Sequence, residues 1–242
     1  MFQVSGFKLR EEMKEISKLE EKLGIKFNNQ DLLKQAFVHR SFLNENPDFE
    51  LQHNERLEFL GDAVLELVVT KHLYENYPNP EGELTNWRAA LVNAKKLAEI
   101  AEMIGLNDWL MLSRGETKDT GRARQYILAN TIEALIGAIF LDQGIGVAGE
   151  FIAKNILSHL PEILKEGAYR DAKSMFQEEA QERVGITPSY EVLKEWGPDH
   201  AKHFNVGVFL DDELVAEGEG ISKQDAQQKA AENATILRYS SI

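Results

Sequence analysis

Three acidic residues define the first chemical possibility in this chain. Glu55, Glu58 and Asp62 lie within His53-Asn54-Glu55-Arg56-Leu57-Glu58-Phe59-Leu60-Gly61-Asp62-Ala63-Val64-Leu65. On a helix they fall at i, i+3 and i+7 and share one stripe. Like charges one turn apart repel by a few tenths of a kcal/mol. Such a stripe either faces water or is neutralised by a cation, and hard oxygen ligands suit Mg²⁺ or Mn²⁺. A solvated face is the commoner meaning of this spacing, but Gly61 shifts the balance. Glycine inside a helix costs about 1 kcal/mol relative to alanine, so it marks close approach to another backbone. The acidic stripe is therefore expected along a packed seam, with Leu57, Leu60, Val64 and Leu65 on the buried face.

A second segment, Ile127–Asp142, supplies a partner. Asn130 and Glu133 sit at i, i+3 on an otherwise apolar helix, and Gly137 again permits close approach. A carboxylate among Ile132, Leu135, Ile136 and Ile139 needs a partner to stay ionised. Two helices packed at their glycines would converge Glu58, Asp62, Asn130 and Glu133 on one metal. A helix with two outward-facing polar residues is the plainer alternative.

These residues sit in a 242-residue chain with 27 Lys+Arg against 40 Asp+Glu, a formal charge of −13. A uniformly acidic surface repels phosphate, which weighs against a polyanionic partner. The chain has no cysteine, which excludes disulfides, cysteine-ligated zinc and a thiol nucleophile, and fits a cytoplasmic setting. Six histidines form no His-x-x-x-His pair, against a histidine-based metallohydrolase. The N-terminus has no apolar core of signal-peptide length, and no apolar stretch is expected to approach the ~18 residues of a membrane span.

The elements that must position this chemistry fall into two groups. Residues from about 9 to 165 carry apolar residues at three- and four-residue spacing, as in Leu91-Ala94-Leu97-Ile100-Ala101, the period of helices. Breakers are expected at Asn44–Pro47, Tyr77–Pro80, Ser113–Gly121 and Gly144–Gly149. The tail differs. A helix is expected over Lys173–Val184, then period-two strands at Tyr190–Trp196 and Phe204–Leu210. An Asp211-Asp212 turn, a third strand at Glu213–Gly218 and a helix over Ser222–Tyr239 with Ser222 as N-cap complete it. The fold class is therefore multidomain: an all-α domain over 9–166, a hinge near Glu166–Tyr169, and an α-β-β-β-α domain over 171–240.

Asn54–Leu65 resembles the signature box of bacterial ribonuclease III, the double-stranded-RNA endonuclease. Gly82-Glu83-Leu84-Thr85 with Arg88-Ala89-Leu91-Val92, and Gly115-Glu116 with Gly121-Arg122, resemble further stretches of that family. Lys173-Ser174, Gln177-Glu178, Gln181, Pro188, Tyr190, Gly197-Pro198-Asp199-His200, Phe204 and Gly218-Gly220-Ser222-Lys223 resemble its double-stranded-RNA-binding domain. The resemblance runs from about residue 15 to 238. It implies a homodimeric nuclease that cuts double-stranded RNA to 5′-phosphate and 3′-hydroxyl ends with Mg²⁺, or Mn²⁺ in its place. Ribosomal-precursor and messenger RNA processing is the role it implies. Carried over by motif position, Glu58, Asp62, Asn130 and Glu133 would be metal-binding, and Asp62 and Glu133 catalytic. Glu55 and Glu81 match further acids near the cleavage groove.

The same resemblance places RNA contacts on Gln177, Glu178, Gln181, His200, Ser222 and Lys223. Gln and Glu can pair with 2′-hydroxyls without positive charge, and the last helix opens toward phosphate. Lys118, Arg122 and Arg124 offer a basic patch before the second metal helix. One position departs: the family usually has Asp where this chain has Asn130. The amide keeps a carbonyl oxygen but removes a charge. Two readings follow, a working metal-dependent endonuclease or a weakened, non-cutting RNA-binding protein.

Overall fold

A computed structural model describes residues 16–166, 172–198 and 202–239. The chain divides into two compact units, Met1–Tyr169 and Arg170–Ile242. Residues 167–169 of the proposed hinge and His200 lie outside the described residues.

The first unit is helical. Residues 16–23 form α1, followed by α2 (Gln30–Ala36), α3 (Arg40–Glu45), α4 (Glu55–Asn76), α5 (Glu81–Val92), α6 (Ala94–Met103), α7 (Arg122–Asn155) and α8 (Leu160–Glu166). Helices α4 and α7 make the most extensive pairing, with α6 and α2 against α7 and α5 against α4. Their inward faces share one core: Leu57, Val64, Leu65, Val69 and Leu73 from α4, and Leu128, Ile132, Leu135, Ile136 and Ile139 from α7. This is the expected apolar face, except that Leu60 is only partly buried.

The break expected within Gly144–Gly149 falls at Gly144, at φ 80° and ψ −176°, and helix resumes beyond it to Asn155. Packing of Ala148, Phe151 and Ile152 into the core holds the second half in place. The expectation of no stretch near span length is corrected, because Arg122–Lys165 is long and apolar enough to cross a membrane by length and composition. Most apolar side chains of α7 between Ile127 and Ile139 are buried in the helical core, which is how a core helix acquires that composition.

The second unit is α9 (Ala172–Val184), β1 (Ser189–Trp196), β2 (His203–Leu210), β3 (Glu213–Gly220) and α10 (Lys223–Tyr239). The strands form one antiparallel sheet in the order β1-β2-β3. Both helices pack together, with α10 on β2 and β3. Phe176, Ala180, Val208, Leu210, Ala216, Ala230, Ala231 and Ala234 fill the core. Alanines on α10 allow it to lie close to the sheet, and Gly218 on β3 completes the fit: a Cβ there would fall on the Ala230 backbone nitrogen. The third strand runs two residues past its expected end at Gly218, because Phe204 still pairs with Gly220.

Candidate metal centre and nucleic-acid interface

The start of α4 is fixed by Asn54. This buried side chain does not cap its own helix. Its amide donates to the Ala36 carbonyl at 3.0 Å, and its backbone N–H donates to the Val38 carbonyl at 2.9 Å. The same segment bonds to the loop preceding α7: Met111 N–H donates to the Phe37 carbonyl at 2.9 Å, and His39 N–H to the Met111 carbonyl at 3.1 Å. One hydrogen-bonded knot thus ties the acidic helix to the approach of its partner.

Further along, the two helices touch backbone to backbone. A Cβ on Gly61 would fall on the Glu133 carbonyl, and a Cβ on Gly137 on the Leu57 carbonyl. Any larger residue would force the helices apart. This contact brings Glu58 and Asp62 of α4 to Asn130 and Glu133 of α7.

The electrostatics show how close they come. Burial pushes the Glu133 carboxyl up to about 8, with the Asp62 and Glu58 charges adding to the rise. Burial also raises Glu58, and the Glu55 and Asp62 charges raise it further, while a hydrogen bond from the Asn130 side chain pulls it back. Glu58, Asn130 and Glu133 are half-buried and Asp62 is exposed. Among the described residues, no three His, Cys, Asp or Glu side chains form a ready-made cage. The donors are nonetheless all hard oxygens, and one of them is a carboxyl kept largely protonated for want of a compensating charge. Donors of this kind could hold a hard divalent cation.

The other two acids fare differently. Glu55 stands at the mouth, 3.7 Å from the Arg40 guanidinium and 3.7 Å from His53 Nδ1. No spacing in the sequence pointed to Arg40, fifteen residues away; only the fold makes them neighbours. Burial lowers His39 nearby, opposed by the Glu116 and Glu55 charges. Glu81 opens α5 and lines a cleft of about 430 Å³ with Leu73, Tyr74, Leu84 and Arg88. That cleft is at the far end of α4, sixteen residues or roughly 24 Å along the helix from Glu58. Within one protomer Glu81 is not part of the cluster.

Of the basic patch, Lys118 and Arg122 are exposed and Arg124 is half-buried. Arg124 donates to the carbonyls of Glu116, Thr117 and Asp119 at 2.9, 3.1 and 3.1 Å, so it braces the loop. Arg122 lies over the Tyr126 ring.

In the second unit, Gln177, Glu178 and Gln181 are exposed together on α9. Ser222 is the N-cap expected of it: its hydroxyl accepts from Asp225 N–H at 3.1 Å, and Asp225 in turn accepts from Ile221 N–H at 3.1 Å. This reciprocal box uses the Ser222 oxygen and places a carboxylate in the first turn of α10. Both reduce the pull of that helix end on phosphate. Lys223 is exposed, with its ammonium 5.8 Å from the Phe204 ring centroid. Lys229, six residues later, is held by Glu232 at 2.8 Å. Lys173 donates to Gln227 at 2.7 Å and sits over the Tyr190 ring, fastening α9 to α10 and β1.

The structure thus combines a glycine-packed pair of helices presenting acids with a separate α-β-β-β-α module. The comparisons agree. The Ribonuclease-III-like family matches residues 29–160, and the double-stranded RNA binding motif matches residues 172–236. Ribonuclease 3 of Borreliella burgdorferi is 44% identical over 232 residues, covering 95% of this chain and 94% of that protein. Ribonuclease 3 of Staphylococcus aureus is 43% identical over 213 residues, covering 88% of this chain and 87% of its own. The nuclease domain of ribonuclease III from Campylobacter jejuni superposes with a TM-score of 0.54 at 40% identity, covering 60% of this chain and 99% of that one. The chain belongs to the ribonuclease III family of endoribonucleases.

Proposed function

We propose that this protein hydrolyses phosphodiester bonds in double-stranded RNA with Mg²⁺ or Mn²⁺, leaving 5′-phosphate and 3′-hydroxyl ends. The observation that carries this is the convergence of Glu58, Asp62, Asn130 and Glu133 across the Gly61–Gly137 contact. These four oxygens would hold the ion or its waters. A bound divalent cation supplies charge neutralisation at phosphate, an activated water and help for the departing 3′-oxygen. Asp62 and Glu133 are placed to orient the attacking water. The intact carboxylates favour a cutting enzyme over the non-cutting alternative that Asn130 raises.

The duplex partner is read by the second unit through Gln177, Glu178, Gln181 and Lys223, in the manner of shape recognition across minor grooves. With few free cations, binding depends on local contacts more than on bulk attraction. Processing of ribosomal-precursor and messenger RNA in the cytoplasm is the setting we infer.

A homodimer completes the reading. Helix α4 leaves Phe59 81%, Leu67 61% and Tyr74 80% exposed, too much apolar surface to leave uncovered on one helix. A two-fold axis near Leu67 would lay α4 antiparallel on its copy. Each Phe59 would then meet the cleft beside the other protomer's Tyr74, and each Glu81 would approach the other Glu58. Two sites along one groove would cut both strands.

The test is incubation with a long RNA duplex and with a single strand of the same sequence. Cleavage of the duplex alone, dependent on Mg²⁺ or Mn²⁺, is expected. Binding without cleavage in both ions would return the non-cutting alternative.

A further inference from the structure

The chain leaving α9 folds back on the exposed face that carries Gln177 and Gln181. Gly185 ends the helix at φ 72°, and its N–H donates to the Ala180 and Gln181 carbonyls, both at 3.1 Å. Two residues on, the Thr187 hydroxyl donates to the Gln181 side-chain oxygen Oε1 at 3.1 Å. We propose that Thr187 is a positioning residue for duplex recognition: it holds the Gln181 amide so that its two N–H donors are the groups offered to the minor groove. This rests on the reading of Gln181 as an RNA contact.

Local chemistry fixes this contact. Glycine accepts a positive φ without strain, which turns the chain sharply at the helix end. Pro188 follows Thr187 and confines it to extended backbone, and the β-branch limits the hydroxyl to few rotamers. An amide carries one carbonyl oxygen and two N–H donors. With the oxygen drawn to Thr187, the nitrogen and its donors are turned the other way. The acceptors such donors meet are 2′-hydroxyl oxygens and the purine N3 and pyrimidine O2 edges, which occur along the whole minor groove of an RNA duplex. Recognition through them tolerates any sequence. A free glutamine loses rotamer freedom when it binds, and Gln181 has surrendered part of that freedom before RNA arrives. Gln177, one turn earlier and also exposed, has no such tether among the described residues.

The experiment is titration of a labelled RNA duplex with the full chain in chelator, for wild type, Thr187→Val, Thr187→Ser, Gln181→Ala and the double variant Thr187→Val with Gln181→Ala. Thr187→Val keeps the β-branch and removes the hydroxyl, and it is expected to weaken duplex affinity roughly threefold. Thr187→Ser keeps the hydroxyl and should recover most of that loss. Gln181→Ala is expected to weaken affinity by about threefold to tenfold. In that background Thr187→Val should cost nothing further, because the group it positions is gone. Three results overturn the positioning role while leaving Gln181 as an RNA contact: losses that add in the double variant, a Thr187→Ser protein as weak as Thr187→Val, or a Thr187→Val protein as tight as wild type beside a weakened Gln181→Ala. A Gln181→Ala protein that binds the duplex as tightly as wild type overturns that contact and the tether with it.

Discussion

Gly61 and Gly137 place the backbones of α4 and α7 in direct contact: a Cβ on Gly61 would fall on the Glu133 carbonyl and one on Gly137 on the Leu57 carbonyl. The acidic cluster depends on this contact. Gly61→Ala is expected to destabilise by about 1–3 kcal/mol or more, through overpacking against backbone that cannot swing aside. Thermal or denaturant unfolding would measure it. Cleavage should fall along with stability, since Glu133 would be displaced from Asp62 and Glu58.

Glu133 links stability to pH. Its folded carboxyl titrates near 8 because of burial first and the Asp62 and Glu58 charges next. In the unfolded chain it ionises in the ordinary carboxylate range. Between those two values the folded state holds a proton that the unfolded state has lost. Metal-free stability should therefore fall as pH rises from about 4.5 to about 8 and then level off. Glu133→Gln should abolish cleavage yet make the metal-free protein more stable at pH 8, by a few kcal/mol at most. Unfolding in chelator at pH 5 and pH 8 separates the two effects. The gain should be small at pH 5.

Phe59 is the sharpest test of the dimer. Phe59→Asp should yield monomers by sedimentation while the helical spectrum stays intact, because the side chain is exposed and supports no core. Duplex cutting should fall more than tenfold if both sites need the shared groove. A dimer that persists in this variant would place the two-fold axis elsewhere.

Lys223 is the exposed cation at the α10 end of the RNA-binding unit. Lys223→Ala should weaken duplex binding and reduce the slope of log affinity against log salt by about 0.7–1. Changing Gln177 and Gln181 together to Ala should weaken binding without altering that slope, since neither carries charge. Titrations at two or more salt concentrations distinguish these outcomes.

Much of this architecture was legible in the sequence for physical reasons. The strands of the second unit were legible from their period-two patterns, with β2 and β3 packing on α10, and the acidic stripe with Gly61 marks a seam because only glycine fits there. The break at Gly144 was legible as a glycine run, but the resumption of helix beyond it was not, because it depends on Phe151 and Ile152 reaching the core. Nor were Arg40 beside Glu55 or Arg124 braced on the 116–119 carbonyls, since such pairings depend on tertiary approach or on loop shape. Ser222 was correctly placed as a cap; its oxygen accepts from Asp225 N–H and its O–H remains available to donate to phosphate. The charge of −13 includes Glu55, Glu58, Asp62 and Glu133 beside the α4–α7 seam, and it coexists with a match to the double-stranded RNA binding motif over residues 172–236.

The central claim is that the carboxylates across the α4–α7 seam cut duplex RNA with a divalent cation. The most direct measurement is cleavage of an end-labelled duplex by chelated wild type and Glu133→Gln, before and after Mg²⁺ is restored. The account predicts no cutting in chelator, recovery in wild type with 5′-phosphate ends, and continued duplex binding without cutting in Glu133→Gln. Cutting in chelator, or cutting by Glu133→Gln at the wild-type rate, would contradict it.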